Sequence, residues 1–199
     1  MPELAMLDGL MRRLYPVDRA AFVAHLLRLD GETRHERFGM AVSDAWIAAY
    51  ARGCFGTRDL VYGFFVQGEI RAAGELRQLE NRELSGQRAA EAAFSVEPGW
   101  RRKGLGTALM QRIVRAAQNR LDSTLLLMCL AQNRAMQGLA RKFSADLTFD
   151  TDQVTGRMVG RHVSTLSLLG EALDDVSDIA LAVMDARRRR RVPTVNDPM

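Results

Sequence analysis

The sequence predicts a mixed α/β fold in which one sheet is covered by helices. Strand-like and helix-like apolar patterns follow one another along the 199 residues in the order β-α-α-β-β-β-α-β-α-β-β. One stretch, STLLLMCL at residues 123–130, is almost entirely apolar, as expected of a strand buried on both faces of a sheet. A chain of this length buries one core, so we expect one domain with an appended element.

The first third of the chain is predicted to hold one strand and two helices. A short strand is expected at about residues 9–14, and Asp18 precedes the first helical pattern. The polar stretch DGETRHERFG, residues 30–39, is interpreted as a turn-rich link. Ser43 is predicted to cap the second helix, DAWIAAYARG, at residues 44–53.

The middle of the chain is predicted to be mostly strand. Residues 59–79 contain two strand-like runs around Gln67-Gly68, a pattern typical of a β-hairpin. The stretch NRELSGQ, residues 81–87, is interpreted as a loop. The strand that follows, within RAAEAAFSVEPGW, is expected to end at Pro98-Gly99.

The last part of the predicted sheet alternates helix and strand. The stretch GLGTALMQRIVRAAQNR, residues 104–120, carries one apolar helical face and precedes the strand at 123–130. A short helix, NRAMQGLARKF, is predicted to begin at Asn133. The stretch at 145–163 is interpreted as a closing hairpin.

The C-terminal segment is predicted to be an amphipathic helix. From Leu166, apolar residues recur at helical spacing, at positions 169, 173, 176, 180 and 183. Such a face must be buried, and we expect it to pack on its own domain or on a twin subunit, so a homodimer is one predicted interaction. We assign residues 1–162 to the main domain, 163–191 to this helix with its arginine run, and 192–199 to a disordered tail.

The net charge of +4 depends on five consecutive arginines at residues 187–191. Without them the chain would carry −1, five less than the whole, so we do not expect its body to bind nucleic acid specifically. The run itself is interpreted as a solvated tail, with weak non-specific contact to RNA or membranes as the alternative.

Composition also limits the compartment and the metal chemistry. Cys54 and Cys129 are far apart and form no CxxC motif, so neither a disulfide framework nor a metal site is predicted. The N-terminal residues lack the apolar region of a signal peptide, and no run of about 18 apolar residues is available to span a membrane. We therefore expect a cytoplasmic protein without a membrane partner.

The stretch GWRRKGLGTALM, residues 99–110, predicts an anion site. Arg101, Arg102 and Lys103 directly precede two glycines, and a helical pattern follows. The N-terminus of a helix offers unpaired N–H groups and the positive end of the helix dipole. Gly104 and Gly106 lack the side chains that would hold an anion away from these groups, so the expected ligand is a phosphate or pyrophosphate.

Two common phosphate-binding motifs do not fit this stretch. It lacks the GxxxxGK[ST] pattern of a P-loop. Leu109 occupies the third glycine position of GxGxxG, and the strand at 123–130 carries no acidic residue for a ribose. Both departures disfavour NAD as the ligand.

The same stretch resembles a known family. RRKGLG, residues 101–106, follows a strand and opens a helix, like the (R/Q)xxGx(G/A) motif A of the GNAT superfamily of acyl-CoA-dependent N-acetyltransferases. NRAMQGLARKF, residues 133–143, is similar to the family's NxxAxxLYxxxGF pattern. The resemblance covers most of residues 8–160 and implies a mixed, mostly antiparallel sheet of six to seven strands with helices on both faces.

Two segments resemble more closely the acetyltransferase domain of Pat-type protein lysine acetyltransferases. ETRHERF, residues 32–38, is similar to their TRxxRF segment, and residues 90–106 are similar to their AEFAVxV…WQGxGLG stretch. The resemblance implies acetyl-CoA as the co-substrate and an amine, either a small molecule or a protein lysine, as the acceptor.

The resemblance also implies which residues hold acetyl-CoA. The backbone N–H groups at the helix start would bind the pyrophosphate, with basic side chains nearby, and the preceding strand would run along the pantetheine arm. The implied cofactor-binding residues are Phe94, Ser95, Val96, Arg101, Arg102, Lys103, Gly104, Leu105, Gly106, Thr107 and Asn133.

The implied reaction is direct attack of the amine on the thioester. An amine with a pKa of about 10 is mostly protonated at neutral pH, so a base assists the attack. Glu91 matches the glutamate of AEFAVxV and is the predicted base, directly or through a water, with Glu75 as the rival candidate.

The sequence departs from the family pattern at the expected general acid. Ala140 stands where the family often has a tyrosine, and Lys142 replaces the usual glycine before phenylalanine. Cys129 and Ser144 could replace the acid, although each is interpreted as structural. The missing tyrosine keeps a second function open, an acyl-CoA sensor without turnover; a third is nucleic-acid binding through the arginine run.

Overall fold

The computed structural model describes residues 8–79, 88–120, 124–159 and 165–191, with the side chains of 168–185 in the last of these segments. The strands, β1 to β7 in chain order, are Leu10–Arg13, Leu60–Val66, Glu69–Leu79, Ala89–Val96, Thr124–Leu130, Asp146–Phe149 and Gln153–Val159. The helices, α1 to α6, are Arg19–Arg28, Gly31–Phe38, Asp44–Gly53, Leu105–Asn119, Arg134–Lys142 and Thr165–Arg191.

The seven strands form one sheet in the order β1-β2-β3-β4-β5-β7-β6. All neighbouring strands are antiparallel except β4 and β5, which are parallel. The parallel pair is connected through α4, because a parallel connection needs a crossover. The predicted mixed, mostly antiparallel sheet is confirmed.

The parallel pair separates partway along its length. Pairing between β4 and β5 runs from Ala89–Thr124 to Ala92–Leu127. Beyond that point β4 stays paired with β3 as far as Val96, and β5 stays paired with β7 as far as Leu130. The two strands therefore diverge, and a gap opens in the middle of the sheet.

Each face of the sheet supports its own core. On one face α4 buries the predicted stripe of Leu105, Leu109 and Ile113 against β2, β3 and β4. On the other face α1 and α3 bury a second cluster that includes Phe22 and Ile47. Burying each large apolar side chain contributes roughly 1.5–3 kcal/mol, so these two layers hold the sheet and the gap in place.

The predicted elements are largely confirmed, with one correction. Residues 30–39, interpreted as a link, contain helix α2. Asp30 caps this helix by accepting a hydrogen bond from the Thr33 N–H at 2.7 Å, and Gly39 ends it with a φ of 70°. Tertiary contacts with β4 and β5 stabilise a helix whose own sequence is too polar to show an apolar stripe. The predicted loop at 81–87 lies outside the described residues.

The residue before α1 does not cap the helix with its side chain. Asp18 occupies the N-cap position, but its carboxylate makes no capping hydrogen bond. It accepts two hydrogen bonds from the Arg12 guanidinium, at 2.7 and 2.8 Å, and both side chains are buried. The aspartate therefore compensates a buried arginine at the edge of the sheet.

Helix α6 docks on the domain through charged side chains. Its acidic residues face arginines of β1, α4 and the turn after α4. Asp178 accepts hydrogen bonds from the Arg13 backbone N–H at 2.7 Å and from Arg112 at 3.1 Å. The ion pairs along this contact are Arg12–Asp185, Arg13–Asp175, Arg112–Asp178, Arg115–Asp174 and Arg120–Glu171.

The apolar row of α6 points away from the domain. Leu173 and Val176 are 70% and 68% exposed, and Leu169 and Val183 are also exposed. The expectation that this row packs on its own domain is wrong, because the charged face satisfies the arginines instead. A homodimer through α6 stays a prediction, as do the assigned boundaries, and residues 192–199 lie outside the described residues. None of the helices in the described ranges is both long and apolar enough to cross a membrane.

Candidate functional site

A cavity of about 500 Å³ occupies the gap between β4 and β5. The inner face of α2 forms one wall, and the start of α4 together with α5 forms the opposite end. Glu91 to Val96 of β4 and Met128 and Cys129 of β5 line its sides. The cavity therefore joins the predicted anion site to the point where the two strands diverge.

One end of the cavity is the N-terminus of α4. Gly104 is the N-cap residue and has a φ of 78°, a left-handed conformation that favours glycine. No side chain among the described residues caps this helix, whereas Asp30, Ser43 and Asn133 cap α2, α3 and α5. The first N–H groups of α4 therefore remain available to an anion.

Gly106 supplies space at the same helix start. A Cβ added there would lie 3.6 Å from Leu139 Cδ2, an ordinary contact. Packing against the protein therefore does not require glycine at this position. Gly106 lines the cavity without a side chain, and its role in letting an anion approach the N–H groups stays a prediction.

Basic side chains surround this end of the cavity. Arg101, Arg102 and Lys142 line it, and Lys142 Nζ lies 3.4 Å from Thr107 Oγ1. Lys103, a predicted cofactor-binding residue, instead lies over the ring of Trp100, 4.7 Å from its centroid. The helix dipole and the three lining cations together favour a multiply charged anion.

The diverging part of β4 lines the middle of the cavity with Phe94, Ser95 and Val96, as the sequence predicted. The Ser95 side chain is buried and hydrogen-bonds to His25 Nε2 at 2.9 Å. The other ring nitrogen of His25 lies 3.1 Å from Glu97 Oε1. This chain of contacts ties β4 to α1 where β4 no longer has β5 as a partner.

Glu97 anchors the end of β4. Its carboxylate accepts hydrogen bonds from Arg28 at 3.0 Å and Arg71 at 3.1 Å, in addition to the His25 contact. Burial alone would raise the pKa of Glu97, but the hydrogen bonds from His25, Arg71 and Arg28 outweigh burial and lower the pKa to about 2. The carboxylate is therefore charged throughout the physiological range and holds the strand end in place.

The structure separates the two candidate bases. Glu91 lines the cavity, one residue before the last residue of β4 that pairs with β5. Glu75 lies outside the cavity lining and is 1% exposed. It accepts hydrogen bonds from Arg37 at 2.5 Å and from Tyr50 at 2.7 Å.

Glu75 is held as an anion by this cluster. Burial alone would raise its pKa, but Arg37 and the hydrogen bonds from Tyr50, Arg37 and Cys54 lower the pKa below the usual value. A carboxylate stabilised in this way is a poor proton acceptor, so the geometry favours Glu91 as the base. Burial, then the neighbouring Glu75, raises the pKa of Tyr50, which stays protonated and donates.

Helix α2 contributes residues to the cavity from the stretch at 30–39, which the sequence predicted to be a link. Thr33, Glu36 and Arg37 lie on one helical face and line the cavity. Glu36 was not singled out from the sequence at all. The flanking Asp30 and Gly39 are the N-cap and C-cap signals that could have revealed this helix, and the spacing of 33, 36 and 37 then follows.

Four other predicted residues are now placed. Asn133 lines the cavity, and its side-chain oxygen caps α5 at 2.9 Å, which leaves its amide nitrogen for a ligand. Cys129 is half-buried and lines the cavity; burial and the nearby Glu36 raise the pKa of its thiol, which disfavours the reactive thiolate. Ala140 is buried in the core, and Ser144 is exposed beyond α5. Neither of the last two lines the cavity.

Comparison with known proteins agrees with this fold. Residues 21–144 match the Acetyltransferase (GNAT) family. None of the curated proteins matches the chain significantly. Among solved structures, the GNAT domain of S. lividans PAT has a TM-score of 0.64 at 17% identity, over 75% of this chain and 89% of that one.

Two further solved structures show the same architecture. A GNAT-family acetyltransferase from Streptococcus pneumoniae has a TM-score of 0.62 at 15% identity, over 77% of this chain and 100% of that one. The structure of yncA from Salmonella typhimurium, which contains its cofactor acetyl-CoA, has a TM-score of 0.60 at 13% identity, over 79% and 97%. At these identities the likeness concerns the fold.

Proposed function

The chain belongs to the Acetyltransferase (GNAT) family, and on this premise we propose that it transfers an acetyl group from acetyl-CoA to a primary amine. The acceptor is a small amine or a protein lysine. The observation that carries the proposal is that one continuous cavity joins a helix N-terminus without a side-chain cap to the gap between two diverging strands. A long anionic thioester needs both features at once.

In this proposal the N–H groups at the start of α4 bind the CoA pyrophosphate, with Arg101, Arg102 and Lys142 beside it. Lys103 is not assigned to the phosphates, because it packs on Trp100. The pantetheine arm runs along residues 94–96, whose backbone has lost its β5 partner. The thioester then reaches the gap, near Glu91.

The proposed step is a direct displacement. Glu91 accepts a proton from the ammonium form of the acceptor, and the free amine attacks the thioester carbonyl carbon. The new C–N bond forms as the C–S bond breaks, and CoA leaves as a thiolate. The nitrogen, which still carries one proton more than the amide, releases that proton to solvent, and the thiolate takes up a proton from solvent. Ala140 cannot donate a proton to the thiolate, and it is buried in the core. The tyrosine hydroxyl that the family often has at this position therefore plays no part in the proposed step.

The alternative proposal is an acyl-CoA sensor that binds without turnover. The missing tyrosine is compatible with it, and the same anion site would serve it. Any acetyl-CoA-dependent acetylation of an amine above the uncatalysed rate would exclude it.

The proposal is tested by two measurements on one preparation. The melting temperature is measured with acetyl-CoA, CoA, NAD and ATP, since a ligand at a hundredfold excess over its Kd stabilises by about 2.7 kcal/mol. Release of the CoA thiol is then followed with alkylamines and with a lysine peptide. We expect stabilisation by the two CoA species and thiol release that requires an amine. Stabilisation by NAD or ATP instead would overturn the proposal.

A further inference from the structure

Helix α2 places a carboxylate in the cavity that the proposed reaction does not use. Glu36 lines the cavity on the same helical face as Thr33 and Arg37, and its side chain is about three-quarters buried. Glu91 lines the cavity from β4. The cavity is therefore lined by carboxylates from two different elements, α2 and β4.

We propose that Glu36 binds the acceptor as its ammonium ion and thereby selects amines that are positively charged at neutral pH. This inference rests on the proposed acetyl transfer and adds a specificity-determining residue to it. Glu36 holds the charged nitrogen at the mouth of the gap, and Glu91 takes the proton that must leave before the attack. The ligand class is thus a cationic primary amine.

The charge balance around α2 supports this assignment. Arg37 also lines this wall, but its guanidinium is paired with Glu75 and its side chain is 8% exposed. Glu75 therefore compensates Arg37, so Arg37 does not neutralise Glu36, whose nearest cation is Arg101 at 3.6 Å. Opposite charges within a few ångströms attract more strongly in a partly buried cavity than in water.

Two contacts indicate that this wall is arranged for a ligand. Arg101 reaches across from the phosphate end, donating to Thr33 Oγ1 at 2.6 Å and lying 3.6 Å from the Glu36 carboxylate. Glu36 thus already accepts a cation, at a distance longer than a good hydrogen bond.

Arg101 also lines the phosphate end of the cavity, so a bound pyrophosphate offers it a stronger partner than the long contact with Glu36. When Arg101 turns to the phosphates, the Glu36 carboxylate is left for the acceptor. The effect of Glu36 on the Cys129 thiol, whose pKa it helps to raise, agrees with a carboxylate directed at the gap.

The test uses two isosteric acceptors that differ in charge. Butylamine is an ammonium ion at pH 7.5, whereas O-propylhydroxylamine has the same number of heavy atoms and an uncharged nitrogen. Thiol release from acetyl-CoA is measured for the wild type, for Glu36→Gln and for Glu32→Gln, a matched control whose side chain is exposed on the same helix. We expect Glu36→Gln to raise the KM for butylamine at least tenfold and to leave the KM for O-propylhydroxylamine unchanged.

The remaining outcomes are also decisive. Glu32→Gln is expected to behave as the wild type, and both variants are expected to keep the melting shift with acetyl-CoA. If Glu36→Gln fails to fold, the wild type alone still tests the preference for charged amines, because its KM for butylamine should be at least tenfold below its KM for O-propylhydroxylamine. Equal KM values for the two acceptors in the wild type, or the same KM change for both in Glu36→Gln, would overturn the role of Glu36 while leaving acetyl transfer intact. A wild type that neither binds acetyl-CoA nor releases thiol defeats the proposed function and this inference together.

Discussion

Arg37 of α2 and Glu75 of β3 form a buried ion pair, with Arg37 Nη2 donating to Glu75 Oε1 at 2.5 Å. Burial disfavours the charge of Arg37, but Glu75 and Tyr50 outweigh this effect and raise its pKa. Glu75, which the sequence offered as a candidate base, instead stabilises the position of α2 beside the gap through this ion pair. The pair links α2, which lines the cavity, directly to the centre of the sheet.

Replacing Glu75 by Gln should mainly destabilise the fold. It leaves the Arg37 charge buried without compensation, and breaking a buried pair in this way costs about 3–5 kcal/mol. Urea unfolding measures this loss, and the double variant Arg37→Met with Glu75→Leu should recover more than half of it. Unchanged stability together with a hundredfold loss of kcat would instead identify Glu75 as the base.

Replacing Glu91 by Gln should lower kcat for amines by about 100-fold or more, because general base catalysis typically contributes that much. Affinity for acetyl-CoA should not change, since Glu91 lies at the gap rather than at the phosphate end. Single-turnover thiol release measures the rate and the melting shift reports binding. A variant that retains the wild-type rate would exclude Glu91 as the base.

Substitution of Gly106 should separate folding from cofactor binding. Gly106→Glu introduces a carboxylate at the start of α4. The helix dipole stabilises a negative charge there, but the side chain fills the proposed anion site. We expect its melting temperature to stay near that of the wild type and its CoA affinity to fall at least 100-fold by calorimetry. Gly106→Ala is the matched control, because its Cβ meets only an ordinary contact with Leu139 and the motif accepts alanine. Equal CoA affinity in both variants would place the phosphates elsewhere.

Stability should depend on Glu97 in acid. Its pKa is about 2 in the folded chain and near the ordinary 4.5 in the unfolded chain. Its contribution is therefore fully present above about pH 5 and is lost as the pH falls from 4.5 towards 2, up to roughly 3 kcal/mol. Urea unfolding of the wild type and Glu97→Gln should show a large difference in stability at pH 7 that shrinks by pH 3. A difference that is the same at both pH values would contradict this assignment.

Docking of α6 should weaken in high salt. Its ion pairs with β1 and α4 are partly exposed, so screening acts on them, whereas the buried pair of Arg12 with Asp18 is protected. Hydrogen exchange in 0.05 M and 1 M NaCl (about 13 Å and 3 Å screening lengths) should show faster exchange of α6 in high salt and unchanged exchange of β3. Leu173→Ser, on the exposed face, should leave this salt response unaltered. Equal protection of α6 at both salt concentrations would show that charge does not hold it.

Local pattern was enough to predict the elements that carry an apolar repeat. The stripe of α4, the hairpin around Gln67-Gly68 and the apolar strand at 124–130 are each present in the structure. The candidate anion site could also be proposed from local pattern, because two glycines, adjacent arginines and a helix start are contiguous in the chain. All but one of the predicted cofactor-binding residues line the cavity, the exception being Lys103.

The contribution of α2 to the cavity was not predictable in the same way. Helix α2 has a polar sequence, and only the capping residues Asp30 and Gly39 indicate it. Its position beside the cavity depends on contacts with β4 and β5, which are remote in sequence. Neither Glu36 in the cavity nor Glu75 under Arg37 follows from spacing, since their partners are remote in sequence.

The sequence by itself determined the order of elements, the family resemblance and the position of the candidate anion site, because each depends on neighbouring residues whose spacing repeats or matches a contiguous motif. Only the tertiary structure decided which carboxylate faces the gap and which face of α6 meets the domain. The apolar row of α6 wrongly predicted that this row packs on the domain. Instead, five arginines from β1, α4 and the turn after α4 form ion pairs with the acidic face of α6. Charge pairing between distant segments has no period along the chain, and it becomes visible only when the fold brings those segments together.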